Sequence, residues 1–259
     1  MPSFPSSSPK LPSGYRLLRL EAVDSTNAEA RRRAAAGEPG PLWVWSARQS
    51  AGRGRAGREW RSEHGNLFAS LLIGLSCPLS VAGQLALLAG LVAYDTIAKL
   101  VDEETRGQLL LKWPNDVLLG GAKVAGMLLE SANGEGDKRS VVVIGTGINL
   151  AHHPEGLPQP ATSLAAHGAT PSPVAVLETL AATTDVWLRR WQEGAAFQSI
   201  RRAWLDRAGP TGRLLRVRLH NEEAEGLFAG LDSGGALRLL MSDGAERRVA
   251  AGDVFFGSR

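Results

Sequence analysis

The stretch of this chain best suited to chemistry is an arginine- and glycine-rich segment at residues 48–61, here called the Arg/Gly loop. It carries five arginines against one glutamate, so its net charge of +4 exceeds the +3 of the whole 259-residue chain. Gly52, Gly54 and Gly57 let the backbone approach a ligand, and the interleaved guanidiniums offer forked donors to phosphate or carboxylate oxygens. The pattern is consistent with binding of a small polyanion, and it is equally consistent with loose RNA binding.

A second segment, residues 111–119, places polar groups between two apolar strands. Pro114 favours an extended turn that carries Asn115 and Asp116, and Lys112 lies just before that turn. A Gly120-Gly121 pair then predicts a hairpin turn into a return strand.

The return strand carries Lys123 and Gly126 among apolar residues. A lysine in such a strand must meet an anion, reach solvent or lose its charge, and a lone lysine more often reaches solvent. A glycine in mid-strand indicates close approach by a ligand or by another backbone.

Two shorter motifs are weaker on their own. The run of residues 144–150 looks like a dinucleotide fingerprint, but Leu150 stands where the last glycine is needed, so that interpretation fails. It still places Asn149 at the end of a buried strand. The run of residues 24–27 is explained by Ser25 or Thr26 capping a helix.

The composition limits the class of protein. A hydrophobic share of 44% and a charged share of 21% are ordinary for a soluble globular protein, and one cysteine, Cys77, excludes an internal disulfide framework or a cysteine zinc site. Residues 1–14 are rich in Pro and Ser and predict a disordered tail without a secretory signal. Residues 64–94 lack charged side chains and predict a buried strand followed by a core helix. A cytoplasmic protein is expected.

The pattern of apolar residues and turn signals predicts an α+β main domain and a small all-β domain. Strands are expected at residues 15–23, 42–47, 66–75, 109–113, 116–119, 122–131 and 140–144, with helices ending at 36 and spanning 80–101, 174–191 and 197–207. A second hairpin turn is expected at 133–136, and residues 152–173 predict an irregular loop. Short strands after Gly209-Pro210 suggest a small β-barrel. The predicted domains are 15–209 and 210–259.

Taken together, these segments resemble the biotin–protein ligases, enzymes that attach biotin to a carboxyl carrier protein. The resemblance rests on DSTN at 24–27, QSAGRGRAGREW at 49–60, KWPNDV at 112–117, KVAGMLLE at 123–130 and GTGIN at 145–149. It implies a mixed, largely antiparallel sheet with helices, a fold shared with lipoate ligases, and then a small C-terminal β-barrel. Some members begin with a DNA-binding helix-turn-helix, and this chain is expected to be the form without it.

The resemblance also implies roles for individual residues. Arg55 and Lys123 are expected to act as the catalytic pair that brackets the biotin carboxylate and the α-phosphate of ATP. The implied biotin subsite comprises Ser25, Thr26, Asn27, Gln49, Arg53, Gly54, Arg55, Lys123 and Gly126. The implied ATP and adenylate subsite comprises Arg53, Arg55, Arg58, Trp60, Lys112, Asn115, Asp116 and Asn149.

The implied reaction has two steps, in which ATP activates biotin as biotinyl-5′-AMP and a lysine of the acceptor protein then takes the acyl group. Both nucleophiles belong to substrates, so the enzyme supplies positioning and charge neutralisation. Mg²⁺ is expected to arrive with ATP and not in a protein metal site. The expected acceptor is the biotin carboxyl carrier protein of acetyl-CoA carboxylase. No DNA or membrane partner is expected, and a homodimer stays open.

Three alternatives remain at this stage. A lipoate or octanoate ligase shares the fold, and a competition assay between the acids separates it from a biotin ligase. A non-enzymatic RNA-binding protein using the Arg/Gly loop predicts an affinity that falls steeply with salt. A degenerate ligase that only senses biotin would bind the vitamin without turnover.

Overall fold

Seven strands form the main sheet of the computed structural model, which describes residues 8–132, 140–219 and 222–256. The strands are β1 (Arg16–Leu20), β2 (Leu42–Ser46), β3 (Leu67–Leu75), β4 (Leu109–Lys112), β5 (Asp116–Leu119), β6 (Ala122–Ser131) and β7 (Ser140–Ile148). Their order is β1-β2-β3-β7-β6-β5-β4, with β1 parallel to β2 and the other neighbours antiparallel. The expected α+β class with a mixed, largely antiparallel sheet is confirmed.

The centre of the sheet is made by β3 and β7, whose apolar and β-branched runs suit a doubly covered position. The prediction ended β7 at residue 144, but the strand continues to Ile148 through two glycines. Pairing with β3 on one side and β6 on the other holds this continuation, because ladder hydrogen bonds outweigh the weak strand preference of glycine. Gly147 thereby lies opposite Gly126 of β6.

One helix covers one face of the sheet. The helix α1 (Thr26–Ala35) packs on β2 and β3, and its Ala30 joins Leu42, Val44, Leu72 and Val143 in a small apolar cluster. Ser25 caps the helix, with its hydroxyl accepting the N–H of Ala28 at 3.4 Å. The cap therefore fixes the start of α1, at the segment whose short motif predicted it.

The uncharged stretch of residues 64–94 forms β3 and then two helices, α2 (Leu79–Ala82) and α3 (Leu85–Ala98). The single helix expected over 80–101 is thus broken near Gly83, since glycine is a poor helix former. By length and composition, Leu79–Ala98 is apolar enough to cross a membrane. Leu85, Leu88 and Leu91 are nearly fully buried against the protein, as in a core helix.

The other helices are α4 (Glu103–Arg106), α5 (Pro173–Trp191) and α6 (Phe197–Leu205). The short α4 escaped prediction, and the Asp102 carboxylate caps it by accepting the Thr105 N–H at 2.8 Å. Helices α5 and α6 pack against α3. The main core therefore lies between this helical layer and the sheet face opposite α1.

The C-terminal strands are β8 (Leu214–Arg218), β9 (Glu223–Leu231), β10 (Leu237–Leu240), β11 (Glu246–Val249) and β12 (Asp253–Phe256). They form an antiparallel sheet in the order β11-β10-β9-β8-β12. A small C-terminal β module is therefore present. Its core is continuous with that of the main domain, and the Trp113 indole donates to the Gly235 carbonyl at 3.1 Å across the junction.

Part of the expected N-terminal tail is packed against the fold. Residues 8–14 are described, and the Lys10 N–H donates to the Glu178 carboxylate of α5 at 2.7 Å. Leu11 packs against the main core. The expectation of disorder is wrong for these residues, because an apolar side chain packs on the core and a carboxylate of α5 accepts a backbone N–H. The turn expected at 133–136 lies outside the described residues.

Candidate active site

A cavity of about 640 Å³ opens where the start of α1, the Arg/Gly loop and the β4–β5 turn meet over β6 and β7. Strand β12 of the C-terminal module closes another side of it. Every site residue predicted from the sequence lines this one cavity. They are Ser25, Thr26, Asn27, Gln49, Arg53, Gly54, Arg55, Arg58, Trp60, Lys112, Asn115, Asp116, Lys123, Gly126 and Asn149.

One end of the cavity is a network of uncharged polar side chains. The backbone N–H and hydroxyl of Thr26 both donate to the Gln49 carbonyl oxygen, at 2.8 and 3.0 Å. The Gln49 amide donates to Ser62 at 2.9 Å. The Ser70 hydroxyl lies 2.7 Å from the Thr26 hydroxyl and 2.6 Å from the Asn27 carbonyl oxygen. These bonds fix the amide orientations, so the end of the cavity is ordered before any ligand arrives.

Two positions of the Arg/Gly loop require glycine for structural reasons. A Cβ at position 52 would lie 2.5 Å from the Trp60 carbonyl oxygen, so only glycine allows this close approach. Gly57 has a φ of +72°, which favours glycine. The Gly54 N–H donates to the Arg58 carbonyl at 2.7 Å and closes a tight turn. Arg53, Arg55 and Arg58, at or next to this turn, line the cavity.

Carboxylates from distant parts of the chain hold the loop's arginines. Arg58 donates to Asp253 of β12 at 2.8 Å, and Arg55 lies 3.8 Å from the same carboxylate. Arg53 lies 3.5 Å from Glu130 of β6. The Arg58 side chain is 54% exposed, so these are surface ion pairs of small net stability. An anionic ligand can therefore replace the carboxylates at low cost.

The β4–β5–β6 region contributes two lysines that share one carboxylate. Lys123 lies 2.7 Å from one oxygen of Asp116, and Lys112 lies 3.5 Å from the other. The register makes this possible, since Lys112 pairs with Asp116 across the β4–β5 turn and Asp116 pairs with Gly126 of β6. The Lys112 side chain is 6% exposed and the Lys123 side chain 25%. Of the outcomes expected for a lysine in an apolar strand, Lys123 therefore meets an anion, and that anion is the Asp116 carboxylate.

Burial and neighbouring charge act in opposite directions on these groups. Burial lowers the pKa of Lys112 to about 8, although the Asp116 charge partly counteracts it. Burial alone would raise the pKa of Asp116, but the charges of Lys123 and Lys112 outweigh it and hold that pKa below its ordinary value. Asp116 is therefore ionised near neutral pH, and Lys112 is close to its titration point.

Trp60 lies flat against the glycines of the two central strands. A Cβ on Gly147 would stand 2.6 Å from the indole ring, and one on Gly126 would stand 3.0 Å from it. Lys123 lies over the ring, 5.4 Å from its centroid. The indole N–H of Trp60 is buried and makes no hydrogen bond to any described residue. The two glycines thus form a seat for this ring, which explains the mid-strand glycine noted in the sequence.

The amides of Asn115 and Asn149 are engaged with the backbone. Asn115 donates to the Met127 carbonyl, and Asn149 donates to the Thr162 carbonyl at 3.0 Å. Asn115 therefore ties the β4–β5 turn to β6. Asn149 ties the end of β7 to the segment that follows it.

The sequence interpretation missed several residues of the site. Asp253 and Phe255 come from the C-terminal module, Glu130 from the far end of β6, and Leu157 and Gln159 from the loop after β7. That loop is anchored by Asn66, whose side-chain oxygen accepts three successive N–H groups at residues 150–152, at 2.9 to 3.1 Å. No local pattern marks these residues, because each acts through contacts distant in sequence.

No group of three His, Cys, Asp or Glu side chains suited to a metal ion occurs among residues 8–132, 140–219 and 222–256. Asp116, the most buried carboxylate of the cavity, is engaged by two ammonium groups. That Mg²⁺ arrives bound to ATP stays a prediction.

Two family models match the chain in succession. The biotin/lipoate A/B protein ligase family matches residues 20–149, and the biotin protein ligase C-terminal domain matches residues 212–257. The first match contains every predicted site residue. The second contains Asp253 and Phe255, the cavity residues from the C-terminal module.

Individual relatives agree over nearly the whole chain. A biotin–[acetyl-CoA-carboxylase] ligase of Paracoccus denitrificans is 38% identical, with 92% of this chain and 99% of that protein covered. The bifunctional ligase/repressor BirA of Bacillus subtilis is 32% identical, with 94% and 75% covered. The structure of the Aquifex aeolicus biotin protein ligase in complex with biotin and ATP aligns with a TM-score of 0.76 at 25% identity, covering 94% and 99%. The chain therefore belongs to the biotin/lipoate A/B protein ligase family and, within it, to the biotin protein ligases.

Proposed function

We propose that this protein activates biotin with ATP as biotinyl-5′-AMP and transfers it to a specific lysine of a biotin carboxyl carrier protein. The observation that carries the proposal is the cavity, which joins a fixed polar end, a glycine-lined floor, and cations from both the Arg/Gly loop and strands β4 and β6. A biotin head, an adenylate and a phosphate chain require these three environments. The similarity to a biotin–[acetyl-CoA-carboxylase] ligase over 99% of its length supports the same substrates and the same class of acceptor.

In the first step, a biotin carboxylate oxygen attacks the α-phosphorus of ATP and pyrophosphate leaves. Two anions must approach each other, so the site has to neutralise charge without reorganising. Lys123 is suited to this because Asp116 already fixes its ammonium in place at 2.7 Å. Arg55 faces the same cavity from the Arg/Gly loop. Together they bracket the carboxylate and the α-phosphate, and Mg²⁺ enters bound to ATP.

The remaining assignments follow the cavity from end to end. The uncharged network binds the biotin head, through Ser25, Thr26, Asn27 and Gln49, with Gly126 at its edge. Arg53 and Gly54 close over biotin and the phosphates, and Arg58 assists with the phosphates once Asp253 releases it. The adenylate is bound by Trp60, Lys112, Asn115, Asp116 and Asn149.

The test is direct. Purified protein is incubated with ATP, Mg²⁺, labelled biotin and a carrier domain that bears the acceptor lysine. Covalent label on the carrier, together with biotin-dependent exchange of pyrophosphate into ATP, is the expected result. Absence of both, with a folded protein, would overturn the proposal.

The choice of acid is a separate question, since the family as a whole uses biotin or lipoate. The C-terminal module matches a domain of biotin protein ligases, which favours biotin. Competition between labelled biotin and an excess of lipoate or octanoate tests this, and loss of label would favour the other acids. Salt-sensitive RNA binding without exchange activity would instead support the RNA-binding alternative.

Four finer features stay predictions. They are closure of the C-terminal strands into a barrel, a domain boundary near residue 209, a homodimer, and a cytoplasmic protein without a DNA partner. Sedimentation of the purified protein with and without biotin and ATP tests the dimer. A single monomeric species under both conditions would contradict it.

A further inference from the structure

Lys112 and Lys123 share the Asp116 carboxylate on unequal terms. Lys123 has the short contact, at 2.7 Å, and is one-quarter exposed above the Trp60 ring. Lys112 has the longer contact, at 3.5 Å, and is almost completely buried. The structure thus stabilises one ammonium well and the other poorly.

The surroundings of Lys112 supply little further compensation for its charge. The charged groups that face it are Asp116 of β5, Lys123 of β6 and Asp253 of β12. Of these, Lys123 repels it, and Asp253 is already paired with Arg58 at 2.8 Å. The face of the Phe255 ring is also close, with its centroid 5.9 Å from the Lys112 ammonium. A buried amine with so little compensation gives up its proton readily, and burial lowers its pKa to about 8.

The second step of the proposed function needs a group of this kind. An acceptor lysine in solution carries an ε-ammonium, which has no lone pair with which to attack the acyl carbon. A proton acceptor is most effective when its pKa is near the working pH. Asp116 is a weak base because its pKa is held below the ordinary value, and Lys123 is already engaged by the Asp116 carboxylate at 2.7 Å.

We propose that Lys112, in its neutral form, accepts the proton of the acceptor lysine before the transfer step. The freed amine attacks the acyl carbon of biotinyl-5′-AMP, the C–N bond forms, and the C–O bond to the phosphate breaks with its electron pair leaving on AMP. The second proton of the attacking nitrogen goes to the AMP phosphate. Lys112 ends protonated and loses its proton to solvent before the next turnover. This inference rests on the proposed function.

The experiment separates the two half-reactions in wild-type protein and in Lys112→Arg. Arginine keeps the positive charge but does not titrate in proteins, so it cannot accept the proton. Biotinyl-5′-AMP is formed on the enzyme, and its transfer to a carrier domain is followed in single-turnover mode across a range of pH. Pyrophosphate exchange is measured in parallel. Transfer to hydroxylamine provides the matched control, since this amine is already neutral near pH 7.

The expected result is a loss in the transfer rate of Lys112→Arg about 10²-fold greater than its loss in pyrophosphate exchange. Hydroxylamine transfer should fall only as far as exchange does, and the inflection near pH 8 that is expected for wild-type transfer should disappear. Equal losses in all three reactions, or an unchanged pH profile, would overturn the assignment. Should Lys112→Arg fail to fold in thermal unfolding, Lys112→Gln is measured in its place. A wild-type protein that forms no adenylate would instead refute the proposed function.

Discussion

The cations of the cavity lie in two regions that are built in opposite ways. Lys112 and Lys123 project from paired strands, are largely buried, and share one internal carboxylate. Arg53 and Arg58 project from a glycine-rich loop, are about half exposed, and pair with carboxylates of other elements. The hairpin side is fixed before ligand binding, whereas the loop side is held by contacts that an incoming phosphate can replace.

The difference shows how one site meets two demands. Charge stabilisation in a transition state is most effective from groups that need not move, which favours the hairpin. Entry of a large ligand and exclusion of water afterwards need a segment that opens and closes, which favours the loop. Lys112 and Lys123 lose much of their hydration when the protein folds, so this desolvation free energy opposes folding. Arg53 and Arg58 stay hydrated until a ligand binds.

The largest effect is expected for Lys123→Ala on the fixed side. Loss of a preorganised cation from the reacting groups should reduce pyrophosphate exchange by about 10²- to 10³-fold. Arg48→Ala serves as the control, because Arg48 belongs to the Arg/Gly loop but does not line the cavity. Pyrophosphate exchange near the wild-type rate in a folded Lys123→Ala protein would show that the fixed lysine side does not supply the main transition-state stabilisation.

The buried charge of Lys112 should be measurable as lost stability. Its pKa of about 8 in the folded state lies below the ordinary 10.5, so the unfolded chain binds more protons between these values and the free energy of unfolding rises with pH across that window. Lys112→Met should abolish this rise and stabilise the protein at pH 7 by up to about 3 kcal/mol. Chemical denaturation across that pH range measures both effects.

Lys123→Met is the matched comparison for stability, since Lys123 shares the same carboxylate but is partly exposed. Its free energy of unfolding should not gain in the same way. A Lys112→Met protein less stable than wild type at pH 7 would show that the buried ammonium is well compensated.

The contact of Trp60 with Gly126 and Gly147 should couple the Arg/Gly loop to strands β6 and β7. Gly147→Ala places a Cβ within 2.6 Å of the indole and should displace the ring, weakening ATP binding about tenfold. Calorimetry with ATP in the presence of biotin measures the loss. In a Trp60→Ala background the same substitution should cost much less, because the clash is gone. An identical cost in both backgrounds would mean that the glycine serves only the strand pairing.

The smallest effect is expected at the replaceable contacts. Asp253→Asn removes the anion that holds Arg55 and Arg58, and surface pairs of this kind contribute little. Limited proteolysis of residues 49–61 should become a few-fold faster without ligands and stay unchanged with biotin and ATP. Glu246→Gln, which breaks a pair with Arg238 elsewhere in the C-terminal module, is the control. Unchanged proteolysis in both variants would show that Asp253 does not restrain the loop.

The sequence predicted the strands and the cap of α1 because each depends on a short stretch of chain, whereas the residues around the cavity followed from the resemblance to the biotin–protein ligases. Apolar periodicity and turn residues act locally, so the hairpin that carries Lys123 could be located in advance. The roles of the cavity residues stay predictions.

What escaped the sequence depends on the fold as a whole. Neither Asp253 nor Glu130 carries any local sign that it faces an arginine far away in the chain. The internal carboxylate of Lys123 was equally hidden, since the ion pair follows from register across three strands. The packing of residues 8–14 also depends on long-range contacts.

The seat of Trp60 also gives the protein an optical reporter. Of its seven tryptophans, Trp60 and Trp113 line the cavity, and the other five lie in or around the core. Trp113 is anchored by a hydrogen bond to Gly235, but Trp60 rests beneath a lysine with its indole N–H unpaired among the described residues. A ligand that draws Lys123 away or meets that N–H changes the emission of Trp60 first. Stopped-flow fluorescence on the unlabelled enzyme can therefore follow closure of the site in real time.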